Sequence, residues 1–144
     1  MTHHSYTKEQ PALLFVDPYN DFLSEGGEWY PDFVPQEGDI TIKEHWGQNG
    51  FANTDPDFQL KQHGIIKVIV IGLLANTCSE SPGRYAMELG YHVTLEKDAT
   101  AAFSKDRMRA AHELNGPNFA HAILTTAELV TALPHACSKK EVTQ

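Results

Sequence analysis

The chain has 144 residues, with 41% hydrophobic, 10% aromatic and 21% charged side chains, the profile of one compact folded unit. Lys and Arg number 11 against 19 Asp and Glu, a formal net charge of -8, which disfavours phosphate backbones and anionic lipid surfaces and sets nucleic-acid and membrane partners aside. Cys78 and Cys137 lie in unlike surroundings and do not read as a disulfide framework, and no signal-like or bilayer-long apolar stretch is present, so a cytoplasmic location is expected.

Pro11 to Val16, closed by Asp17, is a short continuous apolar run of the kind that forms a buried parallel strand. Residues 18–38 mix Gly, Pro, acidic and aromatic side chains without a sustained period and read as loop. Asp39-Ile40-Thr41-Ile42-Lys43 alternates and is β-branched, which predicts a second short strand. Asn53-Thr54-Asp55-Pro56 predicts a helix start with a capping side chain, the helix running through Phe58 and Leu60 to a stop at Gly64. Ile65 to Gly72, rich in β-branched aliphatics, predicts the central strand of the sheet. A helix follows from about Thr77 to Leu89, with Gly90 as its left-handed cap, and then a strand over Tyr91 to Glu96. Ser104 is placed to cap a helix through Met108, Ala111 and Leu114 to Asn115-Gly116, His121 to Leu124 predicts an edge strand, and Thr126 caps a last helix stopped by Pro134. Strands alternating with helices place the chain in the α/β class, as a three-layer α/β/α fold on a parallel sheet. The domain is expected over residues 1–134, with 135–144 as a flexible tail.

Ligands of open α/β sheets bind beyond the carboxyl ends of the strands, so polar residues that close apolar strands are the first candidates. Asp17, Lys43 and Cys78 are three such residues, and parallel neighbouring strands would bring an acid, an ammonium and a thiol to one edge. A cysteine at a helix N-terminus beside an ammonium favours thiolate. Asp17 would take the thiol proton, the thiolate would attack a carbonyl carbon, Asp17 would return the proton to the leaving amine, and water would resolve the thioester. The backbone N–H groups of Leu74 and Cys78, in the turn from Gly72 to Cys78, are the candidate oxyanion hole. Trp29, Tyr30, Trp46 and Phe51 are candidate pocket aromatics, with satellite core as their plainer role. Taken singly, Asp17 reads as a turn residue, Lys43 as a solvated strand end and Cys78 as a small buried apolar group, and only the joint pattern points to catalysis. The 8 histidines are scattered without metal-ligand spacing, so neither a metal nor a cofactor is expected.

Three ordered stretches resemble the isochorismatase-like cysteine hydrolase family: Ala12 to Phe22, Lys43 ahead of Gly50-Phe51-Ala52-Asn53-Thr54-Asp55, and Val68 to Cys78. The resemblance continues through Gly90 to Leu95 and Asp98-Ala99. It implies a Rossmann-like three-layer fold, an Asp, Lys, Cys triad on Asp17, Lys43 and Cys78, and a non-proline cis peptide at Leu73-Leu74. Phe22, Trp46 and Phe51 are the candidate substrate-binding residues. Members with the cysteine are typically amidohydrolases of nicotinamide-like, carbamoyl or ureido compounds, so the resemblance implies hydrolysis of a small amide or carbamoyl C–N bond.

The chain departs from the family pattern between Asp17 and Lys43, an interval too short and too irregular for the usual crossover helix and further strand. One crossover region is therefore expected to be missing, leaving apolar sheet surface that favours a homo-oligomer. The metal-binding Asp and His cluster of nicotinamidase-type members is absent from that interval as well. Pro82, early in the helix after Cys78, removes an N–H that would bond back toward the nucleophile turn. The alternatives are a shortened, catalytically silent homologue acting as a subunit or binding module, and a vinyl ether hydrolase that does not need Cys78.

Overall fold

A computed structural model of the protein describes residues 11–18, 31–43 and 45–134. Phe22, Trp29, Tyr30 and the tail over 135–144 lie outside the described residues. Strands β1 (Pro11–Val16), β2 (Lys67–Leu73), β3 (His92–Ala101) and β4 (Ala122–Leu124) form a four-stranded, all-parallel sheet in the order β1-β2-β3-β4. Helix α1 (Pro56–Gln62) precedes β2, and α2 (Glu80–Glu88) joins β2 to β3. Helix α3 (Lys105–Arg109), running on as π-helix over Ala110–Asn115, joins β3 to β4, and α4 (Thr126–Ala132) follows β4. No helix among the described residues is long and apolar enough to cross a membrane.

The run Val68-Ile69-Val70 makes β2 an interior strand because both of its faces are covered. Val68 and Val70 are fully buried and join Ala12, Leu14 and Val16 of β1, Val93 and Leu95 of β3, and the overlying Leu60, Ala86 and Phe119. Ile69 and Ile71 point to the other face, where Leu129, Ala132 and Leu133 cover them. Helical layers thus lie on both faces, as the α/β/α reading expects. The second layer does not extend over β1: strand alternation sends Leu13 and Phe15 to that face, and they stay 57% and 38% exposed. Phe15 is met there by Phe33, edge to face with ring centroids 4.6 Å apart.

Several boundaries differ from the sequence expectation. Residues 39–43 form no strand; most of the segment is exposed, and the Lys43 N–H donates to Asp55 Oδ1 at 3.3 Å instead of to a ladder partner. The Asp55 side chain does not cap α1; its second oxygen accepts from Gln59 Nε2 at 3.2 Å. Helix α2 begins at Glu80, beyond the Leu74 to Ser79 turn that the apolar pattern had merged with it. The cap at Thr126 belongs to Thr125, which accepts from Glu128 N–H while Glu128 bonds back to the Thr125 N–H, a complete capping box. Gly64 and Gly90, with φ of 65° and 92°, end α1 and α2 as left-handed residues, and Ser104 caps α3 through Arg107 N–H.

Strand β3 runs to Ala101, well past the expected Glu96, because its pairing with β2 is interrupted: Val70 stands opposite Leu95, and Gly72 opposite Thr100. The intervening residues carry Glu96, whose side chain is 2% exposed, and Asp98, which accepts from the Thr126 N–H and hydroxyl at 2.7 and 2.9 Å. Burial, then the hydrogen bond and charge of Asp98, push the Glu96 carboxyl up to about 7. The folded state therefore keeps a proton that the unfolded chain has released above its ordinary carboxyl range, so stability falls as pH rises from there through about 7. The loss is on the order of 3 kcal/mol at full ionisation. Glu96→Gln, which keeps a donor toward Asp98, is expected to melt higher than the parent at pH well above 7 and to match it in mild acid. Thermal denaturation at the two pH values checks this, and equal melting at both would refute it.

Candidate active site

The strand ends carry the chemistry. Val16 pairs with Gly72, so the residue after β1, Asp17, is set beside the turn that leaves β2. Asp17 has a positive φ of 50°, which aspartate tolerates better than most residues, and the peptide Leu73-Leu74 is cis, as the family resemblance implies. The turn is held from both ends. The Leu74 carbonyl accepts the N–H groups of Thr77 and Ser79, each at 3.1 Å, and Ala75 N–H donates to Ala101 of β3 at 2.7 Å. Cys78 stands half-buried on this frame, with the Thr77 hydroxyl 3.8 Å from its Sγ.

Asp17 and Cys78 are brought together. Burial, followed by the hydrogen bond to Asp17 and the Asp17 charge, pushes the thiol above its ordinary value, while the Thr77 hydroxyl and the Leu74 N–H oppose the shift. The direction is the reverse of the lowered value expected from a helix N-terminus and an ammonium. The reason is geometric: α2 starts two residues past Cys78, and the Lys43 ammonium acts on Asp55. Leu74 and Cys78 donate no N–H to a backbone carbonyl among the described residues, and the Leu74 N–H acts on the Cys78 sulfur.

The other expected residues fall elsewhere. Lys43 is exposed and makes no ion pair among the described residues; with Gln59, which acts more strongly, it helps hold the Asp55 carboxyl below its ordinary range. Trp46 is fully exposed. Phe51 is 7% exposed and sits in the core between Tyr85 and Tyr91, its N–H turned onto Asn49 Oδ1 at 3.0 Å, so it serves packing and not the pocket. Phe22 lies outside the described residues. His45, set aside in the sequence with the scattered histidines, has Nε2 4.0 Å from Asp17 Oδ1. Its only signal in the sequence is its place in the Lys43 segment. No group of three or more His, Cys, Asp or Glu side chains among the described residues is arranged to hold a metal ion.

The isochorismatase domain family model matches residues 4–128. The uncharacterized isochorismatase family protein YwoC of Bacillus subtilis is 34% identical over 105 residues, covering 66% of this chain and 54% of that protein. The ureidoacrylate amidohydrolase RutB of Variovorax paradoxus is 30% identical over 118 residues, 80% of this chain and 46% of the relative. Among solved structures, a cysteine hydrolase from Pseudomonas syringae superposes with a TM-score of 0.67 at 26% identity, covering 78% of this chain and 59% of that one. The chain thus spans about half the length of the curated relatives it matches.

Proposed function

This chain belongs to the isochorismatase family, and from that premise we propose that it is a cysteine hydrolase cleaving the C–N bond of a small amide or carbamoyl compound. The observation that carries the reading is the placement of the Cys78 thiol beside the Asp17 carboxyl at the carboxyl end of the sheet, where Val16 pairs with Gly72. Likeness to a ureidoacrylate amidohydrolase supports the substrate class. The Cys78 proton passes to Asp17 as Sγ bonds to the carbonyl carbon, and the oxyanion is held by the N–H groups of Leu74 and Cys78. Asp17 returns the proton to the leaving nitrogen as the C–N bond breaks. Water, giving a proton to Asp17, then attacks the thioester, and the thiol leaves with that proton. Lys43 is the triad member that the motif assigns, and its electrostatic role rests on that assignment alone, its ammonium acting on Asp55 in this structure.

A panel of ureido, carbamoyl and simple amides, ureidoacrylate included, assayed for ammonia release tests the proposal. Release by the parent with a loss of about a thousandfold or more in Cys78→Ser is the expected result. Release that survives Cys78→Ser, or hydrolysis confined to a vinyl ether, would refute it. The exposed Leu13 and Phe15 favour a second reading, a subunit without turnover that joins a homo-oligomer through this face. A stable monomer in sedimentation velocity would count against that reading.

A further inference from the structure

The π-helical segment Ala110–Asn115 reaches both flanks of the turn that carries Cys78. On one flank stands Thr100, half-buried near the end of β3. Its hydroxyl has a single hydrogen, which goes to the Glu96 carbonyl at 3.1 Å, so in the 2.9 Å contact with His112 Nε2 the ring is the donor. Burial, then the charge of Lys97, holds His112 below its ordinary range, against a smaller opposing pull from Glu80. The ring is therefore the neutral Nε2–H form at pH 7, and its Nδ1 is buried with no hydrogen-bond partner among the described residues. The bond reaches the turn through the strand: Thr100 pairs with Gly72 and precedes Ala101, whose carbonyl takes the Ala75 N–H at 2.7 Å. On the other flank Asn115 Nδ2 donates to Glu80 Oε2 at 3.2 Å, while Glu80 Oε1 takes Nε and Nη2 of Arg84 at 3.0 and 2.8 Å. Glu80 opens α2 two residues past Cys78. Gly116, which follows the π segment, lets it seat closely: a Cβ there would lie 2.8 Å from both the Ala111 carbonyl oxygen and Ile123 Cδ1 of β4.

We propose that His112 and Asn115 are positioning residues for the nucleophile turn, two side chains of one π-helical segment that fix the end of β3 through Thr100 and the start of α2 through Glu80. The use made of Cys78 rests on the hydrolase reading; the brace itself does not. The bonds from Thr77 and Ser79 to the Leu74 carbonyl fix the shape of the turn, whereas its place relative to Asp17 depends on the strand and the helix it joins. Placement matters for attack on a carbonyl carbon, because a shift of about 1 Å caused by a distant substitution can cost about a hundredfold in rate. His112 and Asn115 each act through a residue that flanks the turn. All four side chains, His112, Thr100, Asn115 and Glu80, are half-buried, where a hydrogen bond is stronger than in water and more costly to leave unmade. The π-helical form of the segment fits this use, since such turns recur at functional sites.

The test reads amide hydrogen exchange by NMR and steady-state kinetics in the parent, His112→Gln, His112→Phe, Asn115→Leu, Thr100→Val and the Thr100→Val/His112→Phe double variant. Glutamine keeps a neutral donor at the reach of Nε2, and phenylalanine keeps the volume without it. His112→Phe is expected to speed exchange of the Ala75 N–H by about fivefold or more while Ile69 and Val70, interior in β2, stay within about twofold of the parent, the mark of local and not global opening. Asn115→Leu should do the same at the Ser79 N–H. On the amide that the panel identifies, kcat should fall by about tenfold or more in His112→Phe with KM within about threefold, because placement and not binding is lost. His112→Gln should return both readouts to within about twofold of the parent, a rescue that a space-filling role would not give. In the Thr100→Val background His112→Phe should matter less than about twofold, the route through Thr100 being gone. Unchanged exchange at Ala75 and Ser79, equal damage by Gln and Phe, β2 amides that speed up as much as the turn, a loss carried by KM alone, or undiminished coupling without Thr100 would each overturn the proposal. Should His112→Phe fail to fold, Ala75 exchange in Thr100→Val and ¹⁵N NMR of the parent's His112 ring at pH 7 decide, faster exchange and the Nε2–H form being required and a proton on Nδ1 being fatal. Failure of the hydrolase reading shows separately, as absent turnover in the amide panel while the local exchange effect and its Gln rescue persist.

Discussion

Asp17→Asn is expected to make Cys78 easier to alkylate at neutral pH while removing most or all turnover. The two effects have opposite signs because one carboxylate does two things. In the resting site it accepts the thiol's hydrogen bond and places a negative charge beside it, and both push the thiol above its ordinary value, after burial itself. Asparagine ends the charge repulsion and is a poorer acceptor for the S–H, so the midpoint of alkylation falls and the rate at pH 7 rises. Turnover needs more than thiolate. The same residue must give a proton to the leaving nitrogen and take one from water, and asparagine can do neither, at a loss of roughly 10² to 10⁴-fold in kcat/KM. Parallel measurement of iodoacetamide labelling and ammonia release separates the roles. Slower labelling in the variant would mean that Asp17 favours thiolate in the resting state, and the reading of a thiol poised on a carboxylate would then be wrong.

How much of this is legible in the sequence depends on the range of the interaction that decides each feature. The β2 strand is declared by its own composition, because Val68, Ile69 and Val70 need burial on both faces and an interior parallel strand supplies it. Asp17 and Cys78 are legible for a related reason: each is polar and directly follows an apolar strand or its turn, and parallel pairing carries both to one edge. Residues 39–43 show the opposite case. Alternation there states only that a strand is compatible with the side chains; a ladder partner is a tertiary matter, and Asp55 takes the Lys43 N–H instead. The same long-range path of the chain brings His45 Nε2 within 4.0 Å of Asp17 Oδ1, a proximity that no local pattern announces. Phe51 lies in the core and Trp46 in solvent, and the sequence does not separate the two because an aromatic side chain in an irregular stretch is equally suited to core, site or solvent. The apolar run predicts a β3 that stops at Glu96 because Lys97 and Asp98 end it, yet the strand continues through a register shift and pairs with β2 again at Thr100.

Gly72→Ala is expected to be the most damaging single-methyl change in the chain. Gly72 is buried at a φ of 104°, a region that L side chains rarely adopt, and it stands directly across the sheet from Val16. A Cβ there would lie 2.0 Å from the Val16 carbonyl oxygen and 2.9 Å from its carbonyl carbon and amide nitrogen. These are backbone atoms of the partner strand, so no rotamer change relieves the overlap; β1 must move away or β2 must untwist. The conformational penalty of roughly 1–2 kcal/mol adds to an overpacking cost of about 1–3 kcal/mol, together a large share of the 5–15 kcal/mol typical of a whole domain. Urea unfolding measures the loss, and a variant within about 1 kcal/mol of the parent would show that the strands can part without penalty. The consequence for the site is as specific. Val16 is the residue before Asp17, and Gly72 the residue before the cis Leu73-Leu74 peptide that leads to Cys78, so the close approach at Gly72 sets the spacing of acid and thiol. In whatever fraction of the variant stays folded, Cys78 alkylation should lose its dependence on Asp17, and the double variant Gly72→Ala/Asp17→Asn should then label no faster than Gly72→Ala alone.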